Sequence, residues 1–224
     1  MSIWIKICGN TSLEDAHLAV DEGADAVGFV FAPSPRQVTA SEAAAIASHI
    51  PTGIEKIGVF VHAALDDIYA IARQCGLTGV QLHWDADPDL PAKLRARLGP
   101  ELRIVRVVHF DDRTSELTRV ECAKSALDPN VDAVMVDSRT AAAVGGTGVA
   151  FDWIIARKTL LQNAEAGKPL IAAGGLHPEN VAQAIATLRP WGVDVVSGVE
   201  VAPGKKDPIK VREFVARART ANRK

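Results

Sequence analysis

Apolar residues along the chain gather into eight short blocks, at 3–7, 26–31, 56–61, 80–82, 103–108, 133–136, 170–172 and 193–196. Several blocks are apolar almost throughout, which is the pattern of parallel strands covered on both faces. In the stretches between them the apolar residues recur every three or four positions. Leu65, Ile68, Tyr69 and Ala72 fall at i, i+3, i+4 and i+7, as do Val211, Phe214, Val215 and Ala218, and both sets predict helices with one buried face. Thr11 followed by Glu14 predicts a capping box, and Pro178 suits a first helical position. Residues 138–150 read as a long Gly-rich loop, after which "FDWIIARKTLLQNA" resumes the helical pattern.

Eight strand–helix units in 224 residues predict an α/β chain folded as one closed (β/α)8 TIM barrel. An open doubly wound sheet is the rival, but it usually has fewer strands and one glycine fingerprint near its start. No Pro-, Gly- or Ser-rich linker divides the chain, so residues 1–224 are expected to form a single domain.

Composition narrows the partners more than the fold. Hydrophobic residues make up 48% and charged residues 23%, enough apolar surface for a sizeable core. The net charge of −2 supplies no field that would draw in nucleic acid or an anionic membrane. No run approaches the roughly 18 apolar residues of a membrane span. The first ten residues lack a basic segment followed by a long apolar one, so no signal peptide is expected. Cys8, Cys75 and Cys122 are too far apart for a disulfide framework or a zinc site, which agrees with a cytoplasmic protein. The basic stretch "ARARTANRK" reads as a last helical turn whose cations offset the helix dipole.

A barrel keeps its chemistry at the C-terminal ends of its strands. There the chain has Cys8 after strand 1, Arg36 after strand 2, Gln81 and His83 at strand 4, and Asp137 after strand 6. Gly174 and Gly175 follow strand 7, and Ser197 and Gly198 follow strand 8. The glycines after the last two strands, with "GGTG" at 145–148, suit a phosphate held by backbone N–H groups. Cys8 and Asp137 come from non-adjacent strands and can face each other across the mouth as a base–acid pair that needs no metal and no cofactor. Cys75 and Cys122 fall in helical patterns and read as small buried hydrophobes. Arg36 has the planar fork that suits a carboxylate. His83 is either a proton carrier, a ligand contact or a structural hydrogen-bonding group. Asp194 lies inside strand 8, where an unpartnered carboxylate is costly, so it either binds a sugar hydroxyl or orients a neighbour. "PGKKD" at 203–207 reads as a polar turn before the last helix.

Taken in order, "KICGNTSLEDA", "GADAVGFVF", "GVFV", "VQLH", "VDS", "GGTG" with "FDW", "AGGLHPENV", and "VSGVE" with "PGKKD" resemble the phosphoribosylanthranilate isomerase family over nearly the whole chain. The resemblance implies an Amadori rearrangement in tryptophan biosynthesis, converting N-(5-phosphoribosyl)anthranilate to the 1-deoxyribulose 5-phosphate. It further implies Cys8 as general base, Asp137 as general acid and Arg36 on the anthranilate carboxylate. Gly146, Gly174, Gly175, Ser197 and Gly198 are implied at the phosphate, with Asp194 in support. A thiol with an ordinary pKa of ~8.5 needs a site that favours its thiolate to act this way.

Three positions depart from the family pattern. The loop Pro33-Ser34-Pro35-Arg36 is one residue shorter before the serine, Trp84 stands where glycine is usual, and Val196 where serine is common. The expected partner is the small phosphosugar alone, bound by a monomer or homodimer. One rival is the related barrel acting on the histidine-pathway aminoaldose, which would need a second phosphate loop near strands 2 to 4. The other is a silent phosphosugar-binding barrel, which would lack the acid or the base.

Overall fold

The computed structural model describes residues 2–83, 87–109, 115–137 and 167–221, with side chains left out at 115–119. Eight parallel strands close on themselves in sequence order. They are β1 (Trp4–Ile7), β2 (Ala26–Val30), β3 (Glu55–Val61), β4 (Gly79–His83), β5 (Arg103–His109), β6 (Ala133–Asp137), β7 (Leu170–Ala173) and β8 (Gly192–Val195). Closure is made by β1 against β8, with Trp4 opposite Gly192 and Ile7 opposite Val195. Each strand lies within one or two residues of its predicted block, because a strand covered on both faces leaves an unbroken apolar run.

Seven helices are described: α1 (Leu13–Asp21), α2 (Ala40–Ala47), α3 (Leu65–Cys75), α4 (Leu90–Leu98), α5 (Ser115–Leu127), α6 (Val181–Leu188) and α7 (Pro208–Ala221). The predicted faces hold. Ile68 and Ala72 of α3 are buried, as are Val211, Phe214, Val215 and Ala218 of α7. Tyr69 is only half-buried and carries the Arg97 guanidinium over its ring. The segment 151–164 read as helical and the Gly-rich loop read at 138–150 lie outside the described residues.

Two helix starts differ from expectation. Ser12 caps α1, accepting from the Asp15 N–H at 3.1 Å, while the Thr11 hydroxyl donates to Gly204 O at 2.7 Å. Pro178 lies in the turn ahead of α6 and not in its first turn. The capping box is at α2, where Thr39 and Glu42 bond reciprocally.

Two apolar layers hold the barrel together. One lies between the outer faces of the strands and the helices, and includes Ile5, Ile7, Phe29, Phe60, Ile104 and Phe214. The other fills the barrel with the alternate side chains, among them Trp4, Ala26, Ile57, Val105, Met135 and Ile171. The basic C-terminal stretch is more specific than a dipole effect. Arg219 of α7 donates to Ser2 Oγ, Ile3 O, Gly23 O and Asp25 Oδ2, fastening the last helix to the first strand.

Candidate active site

The alternation that puts Trp4 inside the barrel puts Lys6 and Cys8 inside above it. Cys8 N–H donates to Val195 O at 2.9 Å, which carries the β1–β8 pairing one residue past the strand. Gly9 then turns the chain at φ +73°, and Asn10 locks the turn with Nδ2 bonds to Ile7 O and Gly28 O. Gly28 on β2 makes room for the thiol, since a Cβ there would lie 2.4 Å from Cys8 Sγ. Asp137 ends β6 on the same parity as Ala133 and Met135, which line the interior. The predicted base and acid therefore stand at the ends of strands 1 and 6 of a closed barrel.

The inner wall below the mouth is polar. Lys6, fully buried, donates to Gln81 Oε1 at 2.5 Å and lies 3.3 Å from Asp194 Oδ1. Gln81 Nε2 bonds His83 Nε2 at 2.9 Å, and His83 Nδ1 lies 3.4 Å from His109 Nε2. Strands 1, 8, 4 and 5 thus share one line of polar contacts. His83 bonds Gln81 and lies beside His109, and Asp194 has Lys6 as its neighbour.

Arg36 is held along one edge of its guanidinium. Its Nε donates to Glu200 Oε1 at 2.9 Å and its Nη2 to Oε2 at 2.6 Å, a bidentate ion pair. Glu200 Oε1 also accepts from Lys206 Nζ at 3.1 Å, and Lys206 donates to Cys8 O at 2.6 Å. Gly9 lets the arginine stem pass, because a Cβ at Gly9 would lie 2.9 Å from Arg36 Cδ. "PGKKD" is a polar turn, formed by β9 (Glu200–Ala202) paired with β10 (Lys205–Lys206), but Lys206 within it is buried against Cys8.

Burial pushes the Cys8 thiol up from its ordinary value; Lys6 and Lys206 pull it down and Asp194 adds to the rise. Burial wins, so the surroundings disfavour ionisation of the thiol, where the base role demands a thiolate. Burial likewise pushes the Asp194 carboxyl up against the pull of Lys6. Glu200 behaves oppositely: burial would raise it, but Arg36 and Lys206 together hold it below the usual carboxylate range.

Glycines shape the rim. Gly174 and Gly175 follow β7 at φ +83° and +62°, a conformation that glycine adopts without steric cost. Ser197 and Gly198 open a short 3₁₀ turn after β8. A Cβ on Gly198 would lie 1.9 Å from Leu176 O, so only glycine lets these two loops touch. Gly146 and Trp84 lie outside the described residues. Among the described residues no cluster of His, Cys, Asp and Glu could hold a metal ion.

A family model described as N-(5'phosphoribosyl)anthranilate (PRA) isomerase matches residues 5–217. The chain belongs to this family. An N-(5'-phosphoribosyl)anthranilate isomerase of Trichlorobacter lovleyi is 40% identical across 98% of this chain and 99% of its own. The crystal structure of phosphoribosyl anthranilate isomerase from Thermotoga maritima superposes with a TM-score of 0.85 at 34% identity, covering 97% of this chain and 99% of that one. A further isomerase structure holds reduced 1-(o-carboxyphenylamino)-1-deoxyribulose 5-phosphate, with a TM-score of 0.81 at 33% identity over 97% and 99% of the two chains.

Within the family frame, three residues escaped the reading of the chain. Lys6 was hidden in an apolar run, although a lone charge two residues before a candidate base on a buried strand is a readable signal. Glu200 and Lys206 stood in quoted motifs, but only the long-range fold brings them to Arg36 and Cys8.

Proposed function

We propose that the barrel mouth isomerises N-(5'-phosphoribosyl)anthranilate with Cys8 as base and Asp137 as acid. The family to which the chain belongs is that of this isomerase of tryptophan biosynthesis. The observation that carries the residue roles is the inward parity of Cys8 and Asp137 at the ends of two non-adjacent strands of one closed barrel.

Asp137 gives its proton to the furanose ring oxygen, the C1–O bond breaks, and the anthranilate nitrogen takes up the charge as a protonated Schiff base. Cys8 as thiolate then takes the proton from C2, leaving an enolamine that tautomerises to the ketone. Arg36 holds the anthranilate carboxylate. Its Nε edge is occupied by Glu200, so the carboxylate meets the end that carries Nη1, and the shortened loop sets that approach. Gly146, Gly174, Gly175, Ser197 and Gly198 hold the phosphate, and His83 and Asp194 support the wall beneath the sugar. Support for this reading comes from the positive φ of Gly174 and Gly175, a backbone form in which successive N–H groups can turn towards a phosphate. We take the chain to act as a single domain in the cytoplasm, as a monomer or homodimer, with no nucleic acid or membrane partner. Among the described residues no helix is long and apolar enough to cross a membrane.

The test is turnover of phosphoribosylanthranilate made in situ, for the wild type and for Cys8→Ala. A general base is worth on the order of 10²-fold or more, so Cys8→Ala should lose at least that in kcat while product affinity stays close to wild type. Retention of more than about a tenth of kcat would remove Cys8 from the base role.

A further inference from the structure

The base–acid pair poses a problem of charge and not of pH. The working form is thiolate with protonated Asp137; the idle form is thiol with carboxylate. Both hold the same number of protons, so changing the pH cannot convert one into the other. Fixed charges around Cys8 must set their ratio.

We propose that Lys6 is the counter-ion that the wall provides for the Cys8 thiolate, a positioning residue for the base. This rests on Cys8 being the base. Lys6 on β1 and Cys8 one residue past its end are two apart, so the alternation of the strand turns both side chains to the same, inner face, and both are buried. With no solvent exposure, and with Cys8 above it, Lys6 is in no position to bind a substrate itself. Of the three N–H donors of an ammonium, one goes to Gln81 and one faces Asp194, which leaves a third for the thiolate on the same face.

The wider charge count agrees. Lys6 on β1, Lys206 on β10 and Arg36 after β2 are three cations around Cys8; Asp194 on β8 and Glu200 on β9 are two anions. Gln81 and His83 of β4 complete the wall. Glu200 is shared by Arg36 and Lys206, and Lys6 is matched by Asp194, so the five groups together leave one positive charge over. A thiolate at Cys8 would balance that charge before substrate binds.

A buried lysine kept only for packing makes a different prediction from a counter-ion. The readout is the 13Cβ signal of Cys8 in the full-length protein labelled at cysteine, followed from pH 6 to 10.5. Cys75 and Cys122 are assigned by serine variants. Lys6→Met should move the Cys8 midpoint upward by about one pH unit or more, a tenfold or greater loss of thiolate, since an opposite charge at close range shifts an ionisation by that much. Asp194→Asn should move it downward, because it removes a like charge from the same neighbourhood. A merely structural role would loosen the wall in both variants and move both midpoints in the same direction.

An unmoved midpoint in Lys6→Met, or a midpoint that rises in Asp194→Asn, overturns the proposal. If Lys6→Met does not fold, the direction of the Asp194→Asn shift decides by itself. In parallel, kcat of Lys6→Met should fall about tenfold or more with KM little changed. The titration needs no substrate. Midpoints that move as stated with no turnover in the wild type would defeat the isomerase reading and leave the ion pair standing; normal turnover with unmoved midpoints would do the reverse.

Discussion

Two cations converge on one carboxylate at Glu200. Arg36 takes it with two N–H groups and Lys206 with one, and Lys206 then reaches the carbonyl of Cys8. Removing one partner of a buried ion pair leaves the other charged and unpaired, at about 3–5 kcal/mol. Glu200→Gln should therefore lower stability by about 3 kcal/mol, read by urea unfolding. It should also raise KM about tenfold, because the guanidinium is no longer held at a fixed angle. Arg36→Ala should raise KM as well, by roughly tenfold to a hundredfold. The two variants part on an aniline analogue that lacks the carboxylate. Arg36→Ala should handle that analogue as the wild type does, while Glu200→Gln, which also frees the Lys206 ammonium that bonds Cys8 O, should lose kcat on it. Equal behaviour of the two variants on the analogue would show that Glu200 serves Arg36 alone.

At the scale of elements, the loops after β7 and β8 touch through Gly198. A methyl group there would sit 1.9 Å from Leu176 O, a backbone atom that cannot rotate away. Gly198→Ala should push the two loops apart and cost about 1–3 kcal/mol of stability, as overpacking does. It should weaken inorganic phosphate as a competitive inhibitor while leaving the Cys8 titration unmoved; undiminished phosphate inhibition would take these loops out of phosphate binding.

The elements also show how much the chain discloses. Strands of a parallel barrel are legible because both of their faces are apolar, and α7 because its apolar stripe keeps its period. The start of α1 was misread because Thr11 and Ser12 are equally good caps in isolation, and Thr11 is drawn off by Gly204, almost two hundred positions away. Cys8 and Asp137 stood out as polar interruptions at strand ends. Lys6 did not, since a single lysine within "IWIKIC" breaks no period. The pairing of Arg36 with Glu200 was illegible in principle, because two exposed-looking charges in distant loops carry no local signature of meeting.

At the scale of the whole molecule, the buried thiols tie stability to alkaline pH. Burial, with Glu121 adding to it, pushes the Cys122 thiol up to about 12 from 9.0. A group whose folded value is raised contributes no loss below its unfolded value, and stability falls as pH climbs from the unfolded value towards the folded one. The wild type should therefore lose stability between about pH 9 and 12, on the order of 4 kcal/mol in full from this group. Cys122→Ala should flatten that slope in urea midpoints taken at intervals of pH, whatever its cost at neutrality. A slope as steep as that of the wild type would assign the alkaline loss to other groups.

The barrel closes where its first strand meets its last, and Lys206 is part of that closure. A ribosome makes Cys8 early and Lys206 nearly two hundred residues later. Until then the strand that bears the thiol has neither its β8 neighbour nor the lysine that grips its carbonyl. A growing chain cannot carry a finished site around Cys8 before Lys206 has been made and β8 has paired, however much of the barrel has already collapsed.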